Sequence, residues 1–254
     1  MKIGIQLYTV RGFGHDRDEL RNTLGKIREC GYTCVETAGF FGLPVEEFAG
    51  IVKEYGLEVI STHTGFDGLA REFDRTVENH NTLGAKNVSV PGMPGNYYPS
   101  TVAGFSAFGE ALNNYAKRLA ELGMTLSYHN HTHEFLPVGE GCGESYIFDS
   151  APLLNLQLDV GHAYAAKVDP AEWIERYSDR VVTAHYKDTL FDEAGNRRDM
   201  PIGEGWVDWE KVTAALLKTD CQAFIVEHEE YPRDIWDILR TSYNNIAGFL
   251  GQSK

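Results

Sequence analysis

The chain has few basic residues for its size. Its 254 residues include 23 lysines and arginines against 37 aspartates and glutamates, which gives a formal net charge of -14 at pH 7. This excess of negative charge opposes binding to the phosphates of a nucleic acid or to an anionic membrane surface. A run of about 18 apolar residues is also lacking, so no membrane-spanning helix is expected. Neither nucleic acid nor membrane is therefore a predicted partner.

Cysteine is scarce and widely spaced. The four residues are Cys30, Cys34, Cys142 and Cys221, and none of them forms a Cys-x-x-Cys pair. The spacing thus gives no sign of a cysteine motif. The N-terminus enters a strand-like run directly, without the apolar segment of a secretory signal. We expect reduced thiols and a cytoplasmic protein.

Eight short apolar runs, each followed by a segment of helical or partly helical spacing, account for most of the chain. They begin near residues 3, 34, 57, 87, 124, 154, 181 and 222. Eight strand-then-helix units within 254 residues predict an α/β fold, a (β/α)8 TIM barrel formed by one domain over residues 1–254. An open doubly wound sheet is the alternative, but Gly12-Phe13-Gly14 is a poor match to the glycine fingerprint expected after its first strand.

The fifth run ends in a cluster of polar side chains, His129-Asn130-His131-Thr132-His133-Glu134. Because side chains alternate between the faces of a strand, His129 and His131 should point the same way. Glu134 falls beyond the strand end, where a loop can turn its carboxylate back over that face. Imidazoles and a carboxylate together suit a divalent metal or a proton-transfer site. A polar strand end with solvated histidines is the simpler interpretation of this segment alone.

Polar side chains also end the other predicted strands. In a barrel the carboxyl ends of the strands meet, and the active site lies there. Asp159, His185 and Glu227 each end an otherwise apolar run. Burying such groups without partners is costly, so a shared metal ion is the economical explanation. The other strand-end candidates are Gln6, Glu36, His63 and Lys187.

One divalent metal ion in an oxygen-rich site is therefore predicted, with the ligands Glu134, Asp159, His185 and Glu227. Such a site favours Mn2+ or Mg2+, with Co2+ or Zn2+ as less distinctive alternatives. A cation that bridges a carbonyl and a neighbouring hydroxyl acidifies the adjoining C–H bond and stabilises the enediolate. The base would be His131 or a metal-linked carboxylate such as Glu227. Lys187 is the third predicted catalytic residue, because it lies two residues beyond His185 on the same strand face and its ammonium should reach a substrate oxygen next to the metal.

Six motifs carry a resemblance to a known family. They are Gly4-Ile5-Gln6-Leu7-Tyr8-Thr9-Val10-Arg11, Tyr128-His129-Asn130-His131 with Glu134-Phe135, Leu158-Asp159-Val160-Gly161-His162, His185-Tyr186-Lys187-Asp188, Gly203-Glu204-Gly205 and Val226-Glu227. On these motifs the chain resembles, over essentially its whole length, the sugar isomerase/epimerase superfamily with a xylose-isomerase-like barrel. The resemblance implies that Asp159, His185 and Glu227 bind the metal. It also implies substrate contacts from His162 and Lys187, with Glu36 and His63 as weaker candidates.

Strand five departs from the family pattern. Many relatives place a metal-binding Glu at the position of His129, two residues before a catalytic or substrate-binding histidine that matches His131. Glu134 is the preferred fourth ligand because a hard cation prefers oxygen, which leaves His129 to contact the substrate. Binding of the metal by His129 itself is the alternative. A family branch that acts on abasic DNA is disfavoured by the acidity of the chain and its shortage of strand-end histidines.

The sequence leaves three functions open. The leading one is isomerisation or epimerisation of a sugar or keto-sugar by metal-assisted proton transfer. A lyase or dehydratase on a 3-keto-sugar or glycoside would use the same site, since an enediolate can expel a β leaving group. A non-catalytic sugar-binding barrel would bind no metal. A phosphorylated substrate is not excluded, although no glycine-rich phosphate cradle is evident. The oligomeric state, a homo-oligomer included, is open.

Overall fold

Eight parallel strands close into a barrel in the computed structural model, which describes residues 1–96 and 98–252. Each strand pairs with the next along the chain, and the last pairs with the first. The strands are β1 Lys2–Gln6, β2 Cys34–Thr37, β3 Glu58–His63, β4 Asn87–Val90, β5 Thr125–His129, β6 Asn155–Asp159, β7 Val181–Tyr186 and β8 Ala223–Val226.

Helices surround this barrel. They are α1 Arg17–Glu29, α2 Val45–Glu54, α3 Phe66–Arg71, α4 Phe73–Leu83, α5 Val102–Ala120, α6 Gly143–Asp149, α7 Val160–Ala165, α8 Pro170–Arg176, α9 Trp209–Leu216 and α10 Ile235–Phe249. Two short 3-10 helices, Leu7–Val10 and Thr132–Phe135, follow β1 and β5. Two small hairpins complete the described elements, Pro137–Val138 with Gly141–Cys142 and Asp188–Phe191 with Arg197–Met200.

The predicted barrel is confirmed, and every strand begins within one residue of its predicted start. Helix α8 has a well-defined start, because the Asp169 carboxylate accepts the Ala171 N–H and proline occupies the first helical position. Helix α7 and the hairpin 188–200 were not predicted. The four cysteines are free thiols, as expected. In the part of the chain that is described, no helix is both long and apolar enough to cross a membrane.

Strand alternation separates the apolar core from the polar interior. In β8, Phe224 and Val226 belong to the main hydrophobic core, whereas Ile225 belongs to a small separate cluster with residues of other strands. Glu227 follows at the same parity as Ile225, and so points inward at the carboxyl end. The helices cover the outer face of the barrel, so apolar side chains are buried between the strands and the helices. Polar side chains are buried inside the barrel, near the carboxyl ends of the strands.

A hydrogen-bonded polar layer fills the barrel beneath the carboxyl ends. Gln157 is its centre: its amide N–H groups donate to Glu36 and to Thr183 Oγ1, and its Oε1 lies 2.7 Å from Ser89 Oγ and 2.9 Å from His63 Nε2. These four partners come from four different strands, β2, β3, β4 and β7. Such a fully paired layer holds the inward side chains above it in fixed positions.

Candidate metal centre

Four buried side chains meet at the carboxyl ends of β5, β6, β7 and β8. One ligand atom from each of His129, Asp159, His185 and Glu227 lies within 4.8 Å of the other three. All four side chains are almost completely inaccessible to solvent. Three of them are ligands that the sequence predicted, and the fourth, His129, was the alternative for the remaining position. A second group that shares two of these residues consists of His63, His129 and His185.

Strand register explains why these residues meet. Asp159 is directly opposite His185 in the pairing of β6 with β7, and Glu227 continues β8 one residue beyond the Val226–Tyr186 pair. The amide of Asn130 fixes the end of β6, since its Oδ1 accepts the Asp159 N–H and its Nδ2 donates to the Asp159 carbonyl. Neighbouring strands therefore bring the four groups together at the carboxyl end of the barrel.

His185 lies between two carboxylates. Its Nδ1 is 3.0 Å from Glu227 Oε2, and its Nε2 is 2.7 Å from Glu36 Oε1. Burial lowers the pKa of His185, but the charges of Glu36 and Glu227 outweigh burial and raise that pKa to about 10. Burial opposes ionisation of Glu36, and the nearby His63 and His185 still lower its pKa well below the usual value. Glu36 thus orients the ring of His185 from below the cluster.

The ammonium of Lys187 is buried among three carboxylates. Its Nζ lies 3.1 Å from Glu227 Oε2, 3.4 Å from Asp159 Oδ2 and 2.9 Å from Glu229 Oε1. Burial alone would lower the pKa of Lys187, but these anions raise it above its ordinary value. A Cβ on Gly161 would collide with the side chain and carbonyl of Lys187. Glycine at position 161 therefore makes room for the lysine beside the cluster.

The donor set fits a divalent metal ion. His129 Nδ1 is buried without a hydrogen-bond partner, and Asp159 Oδ2 makes no hydrogen bond although Lys187 Nζ lies 3.4 Å away. Buried polar atoms that make no hydrogen bond are costly. Two imidazole nitrogens and two carboxylate oxygens suit Mn2+, Co2+ or Zn2+, and they suit Mg2+ less well because it prefers oxygen ligands. These residues could hold one such ion.

Glu134 lies apart from the cluster. Its Oε1 accepts a 2.6 Å hydrogen bond from the Tyr128 hydroxyl, and its Oε2 accepts a 2.9 Å bond from the His131 N–H. Tyr128 faces out of the barrel, where its ring packs 5.6 Å from that of Phe108 on α5. Glu134, the predicted fourth ligand, is thus not among the residues that meet in the cluster. The 3-10 helix after β5 turns its carboxylate behind the strand rather than over the inner face.

A cavity of about 420 Å3 opens beside the cluster. Its walls come from the carboxyl ends of several strands and are lined by Tyr8, Ala38, His63, Pro91, His129, His131, Glu227 and Glu229. His131 lies two residues beyond the end of β5, its ring 5.1 Å from that of His129, and its Nδ1 has no hydrogen-bond partner. Burial and the neighbouring His162 lower the pKa of His131, which favours the neutral imidazole.

His162 lies at the edge of the cavity rather than on its wall. Its Nδ1 is 2.8 Å from Arg197 NH1, and its Nε2 is 3.4 Å from Lys187 Nζ. Its ring is 4.8 Å from that of His131. The structure thus places His63, His129, His131 and Glu227 on the cavity wall, with His162, Lys187 and Glu36 directly behind it.

Glu229 and Arg197 are site residues that the sequence analysis missed. Arg197 NH2 donates to Glu229 Oε2 over 2.8 Å, and the Glu229 N–H donates to Asp199 Oδ2 over 2.8 Å. Glu229 is two residues after Glu227, so strand parity could have indicated it. Arg197 and Asp199 come from the hairpin 188–200, which carries no apolar periodicity that would reveal it.

Among the remaining motif residues, buried Asp188 forms a hydrogen-bonded clamp with Gly203 and Gly205. Asp188 accepts hydrogen bonds from the N–H groups of Gly203 and Gly205 and from Trp209 Nε1. A Cβ on Gly205 would collide with the Asp188 carboxylate. The clamp ties the loop before α9 to the residue after Lys187. These motif residues therefore support the site instead of lining it.

A larger cavity of about 510 Å3 lies elsewhere, between α8, α9 and the hairpin 188–200. Tyr164, Phe191 and Trp206 line it, and its charged residues include the ion pair of Asp169 with Lys211. No group of residues with metal-ligand spacing is found there in the described chain. Its size alone does not make it the reactive site.

Comparison with known protein sequences gives a family and distant relatives. The profile of the family described as xylose isomerase-like TIM barrel matches residues 24–244. An inosose dehydratase from Geobacillus kaustophilus is 26% identical over 245 residues, which cover 82% of this chain and 80% of that protein. The rhizopine catabolism protein MocC from Rhizobium meliloti is 26% identical over 265 residues, with 90% of this chain and 81% of that protein covered.

Solved structures share the fold. A sugar phosphate isomerase/epimerase from Parabacteroides distasonis has a TM-score of 0.81 at 20% identity, covering 97% of this chain and 98% of that one. An IolI protein with bound zinc has a TM-score of 0.74 at 16% identity, covering 100% and 99%. A xylose isomerase-like protein from Mycobacterium smegmatis in complex with magnesium has a TM-score of 0.72 at 16% identity, covering 98% and 96%.

Proposed function

The chain belongs to the xylose isomerase-like TIM barrel family, and we propose that it is a divalent-metal-dependent lyase that removes water or an alcohol from a keto-sugar, a keto-glycoside or a keto-cyclitol. The observation that carries this proposal is the buried cluster of His129, Asp159, His185 and Glu227 beside a cavity with one uncommitted base. The relatives named inosose dehydratase agree with such a reaction.

We assign the four clustered residues as the metal ligands, with His129 in place of Glu134. A divalent ion held there would polarise a substrate carbonyl and acidify the neighbouring C–H bond. Two nitrogen ligands favour Mn2+, Co2+ or Zn2+ over Mg2+. Glu36 holds the ring of His185 through the 2.7 Å contact and fixes its orientation toward the cluster.

His131 is the proposed base. Its lowered pKa keeps the imidazole neutral near pH 7, and its Nδ1 is free of protein partners. Glu227 is a poorer base because Lys187 and His185 lower its pKa well below the usual value, in spite of burial. His131 takes the proton α to the carbonyl, and the electron pair of that C–H bond forms the C=C bond as the β C–O bond breaks. The imidazolium then returns the same proton to the departing oxygen, giving an enone and water or an alcohol.

Lys187 is proposed to stabilise negative charge electrostatically and not to transfer a proton. Its raised pKa keeps the ammonium protonated, and its Nζ is within 3.1 Å of Glu227 and 2.9 Å of Glu229. A fixed positive charge in a buried site stabilises the negative charge that develops when the C–H proton leaves.

Isomerisation or epimerisation of a keto-sugar is the second candidate, because it begins with removal of the same proton. Epimerisation needs proton transfer on both faces of the carbon. The strand-five carboxylate of many relatives is replaced here by His129, for which we propose a metal-ligand role, and Glu227 is tied to Lys187. The shortage of free bases therefore favours elimination.

The test is product analysis in D2O with the Mn2+-loaded protein and a panel of keto-sugars, 3-keto-glycosides and inososes. We expect NMR and ultraviolet spectra to show a conjugated enone, and His131→Asn to lower the rate by about 10²- to 10⁴-fold while metal binding is kept. Deuterium uptake with return of a ketose or epimer, and no enone, would favour the second candidate. Wild-type rates in His131→Asn would assign the base elsewhere.

A further inference from the structure

The wall of the cavity beside the metal centre carries carboxylates but no lysine or arginine among the described residues that line it. Glu227 and Glu229 both face this space, and about one third of the Glu229 side chain is accessible. A site built for a phosphate or carboxylate group would be expected to present an Arg, a Lys or a cluster of backbone N–H groups to the ligand.

The nearest cations are already paired with carboxylates. Lys187 Nζ contacts Glu229 Oε1 at 2.9 Å, and Arg197 NH2 contacts Glu229 Oε2 at 2.8 Å. Arg197 also lies 3.6 Å from Asp199 Oδ1. At the rim, Arg11 donates to the carbonyls of Tyr8 and Glu229 and stacks 4.2 Å from the Tyr8 ring. Glu229 therefore occupies the place in which an anionic group of a substrate would meet Lys187 and Arg197.

Building on the proposed function, we infer that the substrate is an uncharged polyhydroxylated ketone and that Glu229 is the specificity residue that excludes phosphorylated and carboxylated analogues. With a divalent ion bound, Asp159 and Glu227 would be neutralised, and Lys187 and Arg197 are already paired with Glu229 and Asp199. Glu36, behind the cavity wall, adds one further negative charge. A dianion would add unpaired negative charge next to Glu229, and like charges brought together at a partly buried site are strongly unfavourable. The same carboxylate can accept hydrogen bonds from the hydroxyls of a neutral sugar.

Sulfate is a suitable probe, because it is a dianion that needs no turnover. Its affinity for the Mn2+-loaded protein is measured by calorimetry in the wild type, in Glu229→Gln and in Glu230→Gln. Glu230 is the matched control, since it is exposed and its substitution changes the net charge equally. We expect Glu229→Gln to bind sulfate at least tenfold more tightly than the wild type and Glu230→Gln to equal the wild type. Glu229→Ser serves as a second neutral variant if Glu229→Gln does not fold.

Equal sulfate affinity in the wild type and in both neutral variants at position 229 would overturn the inference. In a second experiment the kcat/KM of the wild type is compared for free keto-sugars and their phosphate esters. We expect the free sugar to be preferred by at least 100-fold, and preference for an ester would again overturn the inference. If no ketone undergoes elimination or proton exchange, the proposed function fails, while the sulfate titration still decides the role assigned to Glu229.

Discussion

The identity of the proposed fourth metal ligand can be decided with two substitutions, one at the end of β5 and one in the 3-10 helix that follows it. Glu134→Gln removes the carboxylate that the sequence favoured, and His129→Ala removes the imidazole that the structure places in the cluster. If His129 is the ligand, its loss should lower metal affinity by at least about 100-fold, because even removal of an outer partner typically costs 10- to 100-fold. Glu134→Gln should leave one tightly bound ion per chain.

The structure predicts a different effect for Glu134→Gln. The carboxylate accepts hydrogen bonds from Tyr128 and from the His131 N–H, and an amide has only one oxygen to accept them. Loss of one hydrogen bond to a charged group costs about 1.5–3 kcal/mol. For a domain of this size, that corresponds to a fall in Tm of about 3–12 °C. The variant should therefore be less stable and still metal-bound.

The assay is titration of the chelator-treated proteins with Co2+, followed by visible absorption, together with metal analysis after desalting. Thermal unfolding is followed by circular dichroism, and His129→Glu is the control that restores a ligand of the type found in relatives. We expect His129→Glu to bind one ion, with a preference moved toward Mg2+. A folded Glu134→Gln that has lost its metal, beside a His129→Ala that keeps it, would refute the assignment.

Two further predictions follow from the buried charges. Lys187→Met should tighten Mn2+ binding by at least about tenfold while turnover is lost, because the lysine ammonium repels a cation next to Glu227 and Asp159. The Mn2+ affinity is measured by competition with a chelating dye, and an unchanged affinity would contradict this prediction. Burial and the nearby Glu134 raise the pKa of Glu144 well above its usual value, and neither of its oxygens has a partner. The folded state therefore keeps this proton while the unfolded chain releases it above about pH 4.3, so stability falls as pH rises toward the folded pKa. Glu144→Gln should remove this fall, and its gain in urea midpoint over the wild type should be larger at pH 8 than at pH 5; an equal difference at both pH values would refute the reasoning.

The sequence by itself determined the barrel and three of the four clustered residues. Strand and helix periodicities are local properties of the chain, so the eight strand starts could be read directly. Asp159, His185 and Glu227 were identifiable because each ends an apolar run, and strand parity then turns all three inward. The carboxyl ends of parallel strands must meet in a closed barrel, which made their convergence predictable.

Only the tertiary structure shows that His129, and not Glu134, lies together with Asp159, His185 and Glu227. Chemical preference for oxygen ligands favoured Glu134, but the path of the chain after His129 was not contained in any local pattern. The 3-10 helix at Thr132–Phe135 carries Glu134 behind β5 to Tyr128. The contacts of Arg197 and Glu229 join residues 32 positions apart through a hairpin without apolar periodicity. Their role in the charge of the cavity depends on distances between side chains that only the folded chain brings together.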